Sequence, residues 1–147
     1  MILHVDLIVR SMEASLDFYC SKLGFSVIND AMIRHPIVKH ISGGDSDELR
    51  LTLVRVSPIG ATIELVEYKT GPTTSNSPRP KLPALGSGWI TIQVPDLDAR
   101  IKFLGTRGLE PTSEIFTLTL PRGSTSKIVF FRDPDGNTLE FLELLKT

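Results

Sequence analysis

The chain has 147 residues, of which 41% are apolar and 22% are charged, and its formal net charge is −1. This balance is typical of a globular protein, and it gives no electrostatic reason to expect a nucleic-acid or membrane partner. The single cysteine, Cys20, excludes an intrachain disulfide, and no apolar run approaches the roughly 20 residues of a membrane span. We therefore expect a cytoplasmic protein in which Cys20 is packed and unreactive.

The first part of the chain, residues 1–70, is predicted to form a β-α-β-β-β module. Its predicted elements are a strand at 2–10, a helix after the N-cap residue Ser11, and strands at about 25–31, 49–57 and 61–68. The helix carries one apolar stripe, formed by Met12, Leu16, Tyr19 and Leu23. Residues 32–48 are an insertion, and their sequence fits either a lid over a site or a tolerated surface loop.

The same order of elements is predicted for residues 88–147. They are a strand at 89–94, a helix after the N-cap residue Asp96, and strands at about 110–118, 126–132 and 137–144. Gly24 and Gly108 are placed to end the two helices. Residues 71–87 contain four prolines and are predicted to be a stiff, exposed connector. Matching caps, helices and hairpins in the same order indicate an internal repeat.

The two modules differ at one informative position. Glu64 aligns with Glu140, but His4 aligns with Trp89. Residues two apart on a strand share a face, so His4 and Asp6 point the same way. Each Glu is flanked by apolar residues, and a buried carboxylate needs a partner or protonates. A shared cation is the simplest explanation, and a structural hydrogen bond between His4 and a carboxylate is the alternative.

Three features together resemble the vicinal oxygen chelate superfamily, which includes glyoxalase I, bleomycin-binding proteins and extradiol dioxygenases. They are the strand that begins with His4, the capped helices, and the Asp-Pro-Asp-Gly-Asn-Thr-Leu-Glu-Phe run at 133–141. The resemblance covers residues 2–70 and 88–146. It implies an α+β fold in which two β-α-β-β-β modules form a curved-sheet open barrel around one cavity. It also implies a homodimer, which the open sheet edges favour.

The resemblance places His4, Glu64 and Glu140 at metal-ligand positions, with Trp89 at the fourth. An indole nitrogen only donates and cannot ligate a metal. Three ligands still suit a divalent ion such as Ni²⁺, Fe²⁺, Mn²⁺ or Zn²⁺, with positions left open for substrate. No organic cofactor is expected. The tryptophan disfavours glyoxalase I, methylmalonyl-CoA epimerase and extradiol dioxygenase proper.

Two functions follow from this pattern. The first is an isomerase, epimerase or lyase that acts on a small molecule, for example in tailoring a natural product, in which Glu140, Glu64 and His4 are catalytic. The metal, if bound, would assist as a Lewis acid. The alternative is a metal-free protein of the bleomycin-resistance type that binds a drug or a metabolite. An aromatic cavity that includes Trp89 and Phe130 would suit the alternative.

Several side chains keep more than one interpretation. Trp89 is either a core aromatic or a cavity wall that stacks on an unsaturated ligand. Asp6, assigned here to substrate binding, is alternatively a partner of His4, an extra acid or base, or an edge residue in water. Phe131 is grouped with Phe130 as a cavity residue. The two histidines of the insertion are expected to be solvated; they are His35 and His40.

Overall fold

The computed structural model describes residues 3–58, 60–70, 87–119 and 123–145. The chain divides into two compact units, Met1–Pro78 and Arg79–Thr147. The predicted connector at 71–87 lies, apart from residue 87, outside the described residues, so the module boundaries stay a prediction. Among the helices of the described ranges, none is both long and apolar enough to cross a membrane.

The first unit is built on one four-stranded mixed sheet. Its elements are β1 (His4–Ile8), α1 (Met12–Leu16), a π-helical continuation of α1 (Asp17–Lys22), β2 (Ser26–Arg34), α2 (Pro36–Ile41), β3 (Glu48–Arg55) and β4 (Thr62–Tyr68). The strand order is β1-β4-β3-β2. Because β1 pairs with β4 in parallel, the first and last strands of the module lie side by side.

The second unit repeats this topology. Its elements are β5 (Trp89–Gln93), α3 (Leu97–Gly105), β6 (Phe116–Thr119), β7 (Thr125–Arg132) and β8 (Thr138–Leu145). The strand order is β5-β8-β7-β6, and β5 pairs with β8 in parallel. The predicted α+β class, with two β-α-β-β-β modules, is therefore confirmed.

The predicted helix signals act as expected in both units. The Ser11 hydroxyl accepts a hydrogen bond from the Ala14 N–H at 3.3 Å, and the Asp96 carboxylate accepts one from the Ala99 N–H at 2.8 Å. Each bond satisfies a backbone donor that the first helical turn leaves without a partner. The predicted apolar stripe of the first helix is largely buried, with Met12, Tyr19 and Leu23 in the core, and Leu97 and Leu104 of the second helix are buried as well. Burial also raises the pKa of the Cys20 thiol, which favours the unreactive form.

An ion pair joins the start of the helix to the third strand in each unit. Glu13 lies 2.8 Å from Arg50 in the first unit, and Asp98 lies 2.8 Å from Lys127 in the second. Both acids stand two residues after the N-cap, where a negative charge also suits the helix dipole. The internal repeat therefore extends to the contacts between the helix and the sheet.

The insertion forms a helix that packs on the sheet. Strand β2 continues to Arg34, so the connection to β3 covers residues 35–47 and contains α2. Within α2, Val38 is fully buried against Leu49 and Val66. The exposed His35 caps the helix, because its Nδ1 atom accepts a hydrogen bond from the Ile37 N–H. The insertion is therefore anchored to the sheet and is not a free surface loop.

The strand predicted at 110–118 is shorter than expected, since β6 covers only Phe116–Thr119. Pro111 has no N–H to donate to a strand ladder. The next two residues both form hydrogen bonds with the backbone of Phe130 on β7. The Thr112 N–H donates to the Phe130 carbonyl at 2.7 Å, and the Ser113 hydroxyl accepts from the Phe130 N–H at 3.1 Å. This segment therefore meets β7 at one residue before β6 begins.

Candidate functional site

The register of β1 and β4 places three ionisable side chains on one face of the first sheet. His4 is opposite Thr62, and Asp6 is directly opposite Glu64. Alternate residues of β4, Ile63 and Leu65, are buried on the helix side of the sheet. Because side chains alternate along a strand, this burial directs Glu64 to the other face, where His4 and Asp6 also lie.

These residues form what we call the His4–Asp6–Glu64 cluster. The His4 Nε2 atom lies 3.4 Å from the Asp6 Oδ1 atom and 3.9 Å from the Glu64 Oε2 atom. The Glu64 side chain is 14% exposed, whereas that of Asp6 is 58% exposed. One carboxylate is thus largely withdrawn from water, and the other reaches it from the edge strand β1.

The electrostatics of the cluster follow from this placement. Burial raises the pKa of Glu64, and the hydrogen bond and negative charge of Asp6 raise that pKa further, while His4 acts in the opposite direction. Two carboxylates that stand directly opposite each other repel unless a proton or a cation lies between them. The cluster can therefore hold a proton or a positive ion.

The donor atoms fit a divalent metal ion. One ligand atom from each of the three residues lies within 4.8 Å of the others. With bond lengths of about 2.0–2.2 Å, neighbouring donors around one ion lie roughly 3.0–3.5 Å apart. The His4–Asp6 separation is within this range, and the His4–Glu64 separation needs only a small contraction. Imidazole and carboxylate donors suit Zn²⁺, Mn²⁺, Fe²⁺ or Ni²⁺.

Helix α2 covers part of the same sheet face. Val66 and Tyr68 follow Glu64 at intervals of two along β4, so they share its face. Both belong to the apolar cluster around Val38 of α2. Through Val38, α2 therefore forms a partial roof over the side of the sheet that carries Glu64.

In the second unit, Glu140 is held by a well-defined strand and turn. The Asp133 carboxylate accepts hydrogen bonds from the backbone N–H and the side-chain amide of Asn137, at 2.7 and 2.8 Å. Gly136 takes a φ of 81°, as this turn requires. Strand β8 then buries Leu139 and Phe141 in the core. Glu140, on the opposite face, is only 7% exposed.

Two aromatic residues lie on the same sheet face as Glu140. Phe130 is its cross-strand partner on β7, and the rings of Trp89 and Phe130 meet edge to face with centroids 6.3 Å apart. Trp89 is 55% exposed, so its interpretation as a core aromatic is wrong. Phe131 was also expected to line a cavity, but it is buried on the helix side against Phe141. Alternation along β7 separates the two phenylalanines.

The predicted site residues thus form two groups, one in each unit. His4, Asp6 and Glu64 lie together in the first, and the second holds Glu140 with Phe130 and Trp89. The ligand set of His4, Glu64 and Glu140 spans both units and stays a prediction. The sequence did not indicate that Asp6 faces Glu64, because it does not fix the register between two strands.

Comparison with known families decides the affiliation of the chain. The family model of the glyoxalase/bleomycin resistance protein/dioxygenase superfamily matches residues 1–141. The chain belongs to this superfamily. Members of the glyoxalase superfamily include metalloenzymes and binding proteins, so membership supports both classes of function considered for this chain. A comparison with curated protein sequences finds no match.

Solved structures support the glyoxalase-superfamily fold. A glyoxalase family protein of Bacillus cereus is 20% identical, with a TM-score of 0.79 over 99% of this chain and 94% of its own. One from Enterococcus faecalis is 26% identical, with a TM-score of 0.69 over 97% of each chain. The trypanothione-dependent glyoxalase I of Leishmania major is 20% identical, with a TM-score of 0.63 over 97% of this chain and 86% of its own.

Proposed function

We propose that the protein is a small-molecule isomerase, epimerase or lyase that uses carboxylate acid–base chemistry, assisted by a divalent ion at His4 and Glu64. The observation that carries this proposal is the direct opposition of Asp6 and Glu64 beside His4. A surface that only binds a ligand gains nothing from two carboxylates in contact, because they repel each other. A site that exchanges protons or holds a cation requires such groups.

Glu140 and Glu64 are the proposed proton-transfer groups. Without a bound ion, burial and the neighbouring Asp6 raise the pKa of Glu64, which favours proton exchange at this carboxyl group. With an ion bound, the Glu64 carboxylate would act as its ligand. Glu140 is fixed by the Asp133–Asn137 turn and by its buried neighbours, and such rigidity is what a general base requires. Glu140 is also a proposed metal ligand, as the family resemblance implies.

The proposed substrate is an enolisable carbonyl compound with a flat, unsaturated part. The exposed Trp89 ring and the neighbouring Phe130 offer the apolar contact for that part. A divalent ion, when bound, supplies positive charge for the oxygen at which negative charge develops during deprotonation. The solvent accessibility of Asp6 supports its proposed contact with a polar group of the substrate. The homodimer and the cytoplasmic location belong to the same proposal.

Hydrogen exchange into a panel of substrates tests the proposal without knowledge of the natural one. α-Hydroxyketones and acyl thioesters are incubated with the protein in D2O, and loss of the proton next to the carbonyl is followed by NMR. Wild-type protein should accelerate exchange for at least one class, and Glu64→Gln should abolish the acceleration. The matched control is Glu67→Gln, on the same strand but the opposite face, which should retain it. Equal exchange with and without protein across the panel would contradict the proposal.

The second candidate function is a small-molecule binding protein, and the exposed Trp89–Phe130 pair favours it. A wall of two aromatic rings can hold a drug or a metabolite without any reaction. This function predicts that compounds bind beside Trp89 and that none of them exchanges protons. The same D2O experiment therefore separates the two functions.

A further inference from the structure

The most unusual feature of the first unit is that Asp6 faces Glu64 directly. The family resemblance gives ligand roles to His4 and Glu64 but none to Asp6. Across neighbouring strands, like charges in direct opposition destabilise a sheet. Among the ion pairs of the described residues, the contact that both carboxylates share is His4.

We propose that Asp6 is a metal ligand, so that the first unit binds the ion by itself through His4, Asp6 and Glu64. This inference rests on the proposed function and changes its ligand set: Asp6 supplies the third ligand, and Glu140 is left free to move a proton. His4 and Asp6 are two residues apart on one strand, so the backbone fixes their spacing. Glu64 joins them from the adjacent strand, and the three donor atoms lie within 4.8 Å.

The solvent accessibility of the cluster also suits a working metal site. Glu64 and His4 are partly buried, which holds two of the ligands in place. Asp6 is 58% exposed, so positions on that side of the ion remain open to water or substrate. A site with three protein ligands and open positions is the arrangement that catalytic metal ions use. The site therefore does not need a ligand at the position of Trp89, whose ring nitrogen cannot coordinate a metal.

The experiment compares metal affinity among variants of the full-length protein, independently of any activity. Metal is removed with a chelator, and Co²⁺ and Zn²⁺ are titrated by calorimetry, with visible absorption as a second readout for Co²⁺. Asp6→Asn keeps the side-chain shape and should weaken binding by more than about tenfold, because even residues that only support a ligand contribute that much. Glu140→Gln should bind as tightly as wild type.

Asp17→Asn is the matched control, since Asp17 has the same 58% exposure and lies in the same unit. It should leave affinity unchanged, which shows that loss of one negative charge does not explain the effect of Asp6→Asn. Asp6→Asn with wild-type affinity, or Glu140→Gln with strongly weakened affinity, would overturn the inference while leaving a metal-assisted function intact. Absence of binding in wild type would overturn the inference together with the metal part of the proposed function, and the D2O exchange result would still judge the acid–base part.

Discussion

Asp6 on β1 and Glu64 on β4 are register partners in a parallel pair, and both carboxylates lie within reach of the His4 imidazole. The equivalent positions in the second unit are Thr91 and Glu140. The second unit therefore has a carboxylate on its closing strand but no acid opposite it. The two units share a fold, and this difference between them is the reason that we propose a metal site in the first unit only.

We expect Glu140→Gln to lower turnover of a confirmed substrate by about 10²-fold or more, the usual effect of removing a general acid or base. The free energy of unfolding should change little or rise, because a charge is removed from a largely buried position. Steady-state kinetics and urea unfolding check the two halves of this prediction. Glu143→Gln is the matched control: Glu143 lies on the same strand, its carboxylate accepts a hydrogen bond from the Leu97 N–H, and we expect this variant to keep full turnover. Full turnover in Glu140→Gln would show that the assigned role is wrong.

The roof formed by α2 should depend on one side chain. Val38 is fully buried and its neighbour Ile37 is 54% exposed, so the two residues provide a matched pair on one helix. Val38→Ala should lower the free energy of unfolding by roughly 1–3 kcal/mol through lost packing. Ile37→Ala should change it by less than about 0.5 kcal/mol. Urea unfolding measures both, and equal effects would mean that α2 does not pack on the sheet as described.

Acid stability should depend on the contact between Asp30 and Arg50. The Asp30 carboxylate accepts two hydrogen bonds from the Arg50 guanidinium and one from the Thr52 hydroxyl, and these hold its pKa below the ordinary value of 3.8. A carboxyl group whose pKa is lowered by folding stabilises the protein at pH values above its ordinary, unfolded-state pKa. This stabilisation is lost as the pH falls through the pKa of the folded state.

The free energy of unfolding should therefore decrease less steeply with falling pH in Asp30→Asn than in wild type. Arg50→Met should show the same weaker dependence on pH. Arg50→Met also breaks the ion pair with Glu13, so the double variant is compared with Arg50→Met: it should lose little more than that single variant, because Arg50→Met already breaks the contact with Asp30. Unfolding free energies measured across the acidic range provide the test. Additive losses in the double variant would contradict a shared contact.

Trp89 is the only tryptophan, so the intrinsic tryptophan fluorescence of the protein reports on this site alone. Anilinonaphthalene sulfonate, an aromatic probe, should quench this emission when it contacts the exposed ring. Phe130→Leu removes the edge-to-face partner and should weaken the probe's binding several-fold. Phe103→Leu, on α3, is the control and should leave binding unchanged. Unaltered Trp89 emission at saturating probe would argue against an aromatic binding wall.

The sequence was sufficient for the fold because its signals are local. Ser11 and Asp96 cap helices where the pattern predicted them, and Gly24 and Gly108 both take a positive φ at the helix ends. The prediction of a strand at about 110–118 was wrong at its start: β6 begins only at Phe116, after a segment that contains Pro111. Strand alternation also separated Phe130 from Phe131, although the two residues are adjacent in the chain.

The candidate site was only partly predictable. The alignment of the two modules indicated Glu64 and Glu140, since their flanking apolar residues define the strand face. The opposition of Asp6 and Glu64 depends on the register between strands far apart in the chain, and no local pattern encodes that register. Likewise, the sequence of residues 32–48 did not reveal that Val38 would anchor a helix over the face that carries Glu64.

The most direct test of the metal-assisted site is elemental analysis of protein purified without chelators, with wild type and His4→Ala compared at equal concentration. We predict about one divalent ion per chain in wild type and its loss in His4→Ala, because the imidazole is the nitrogen donor of the cluster. Circular dichroism of both proteins confirms that the variant is folded. Wild-type protein without metal, or a His4→Ala variant that retains a full equivalent, would contradict a metal site at His4.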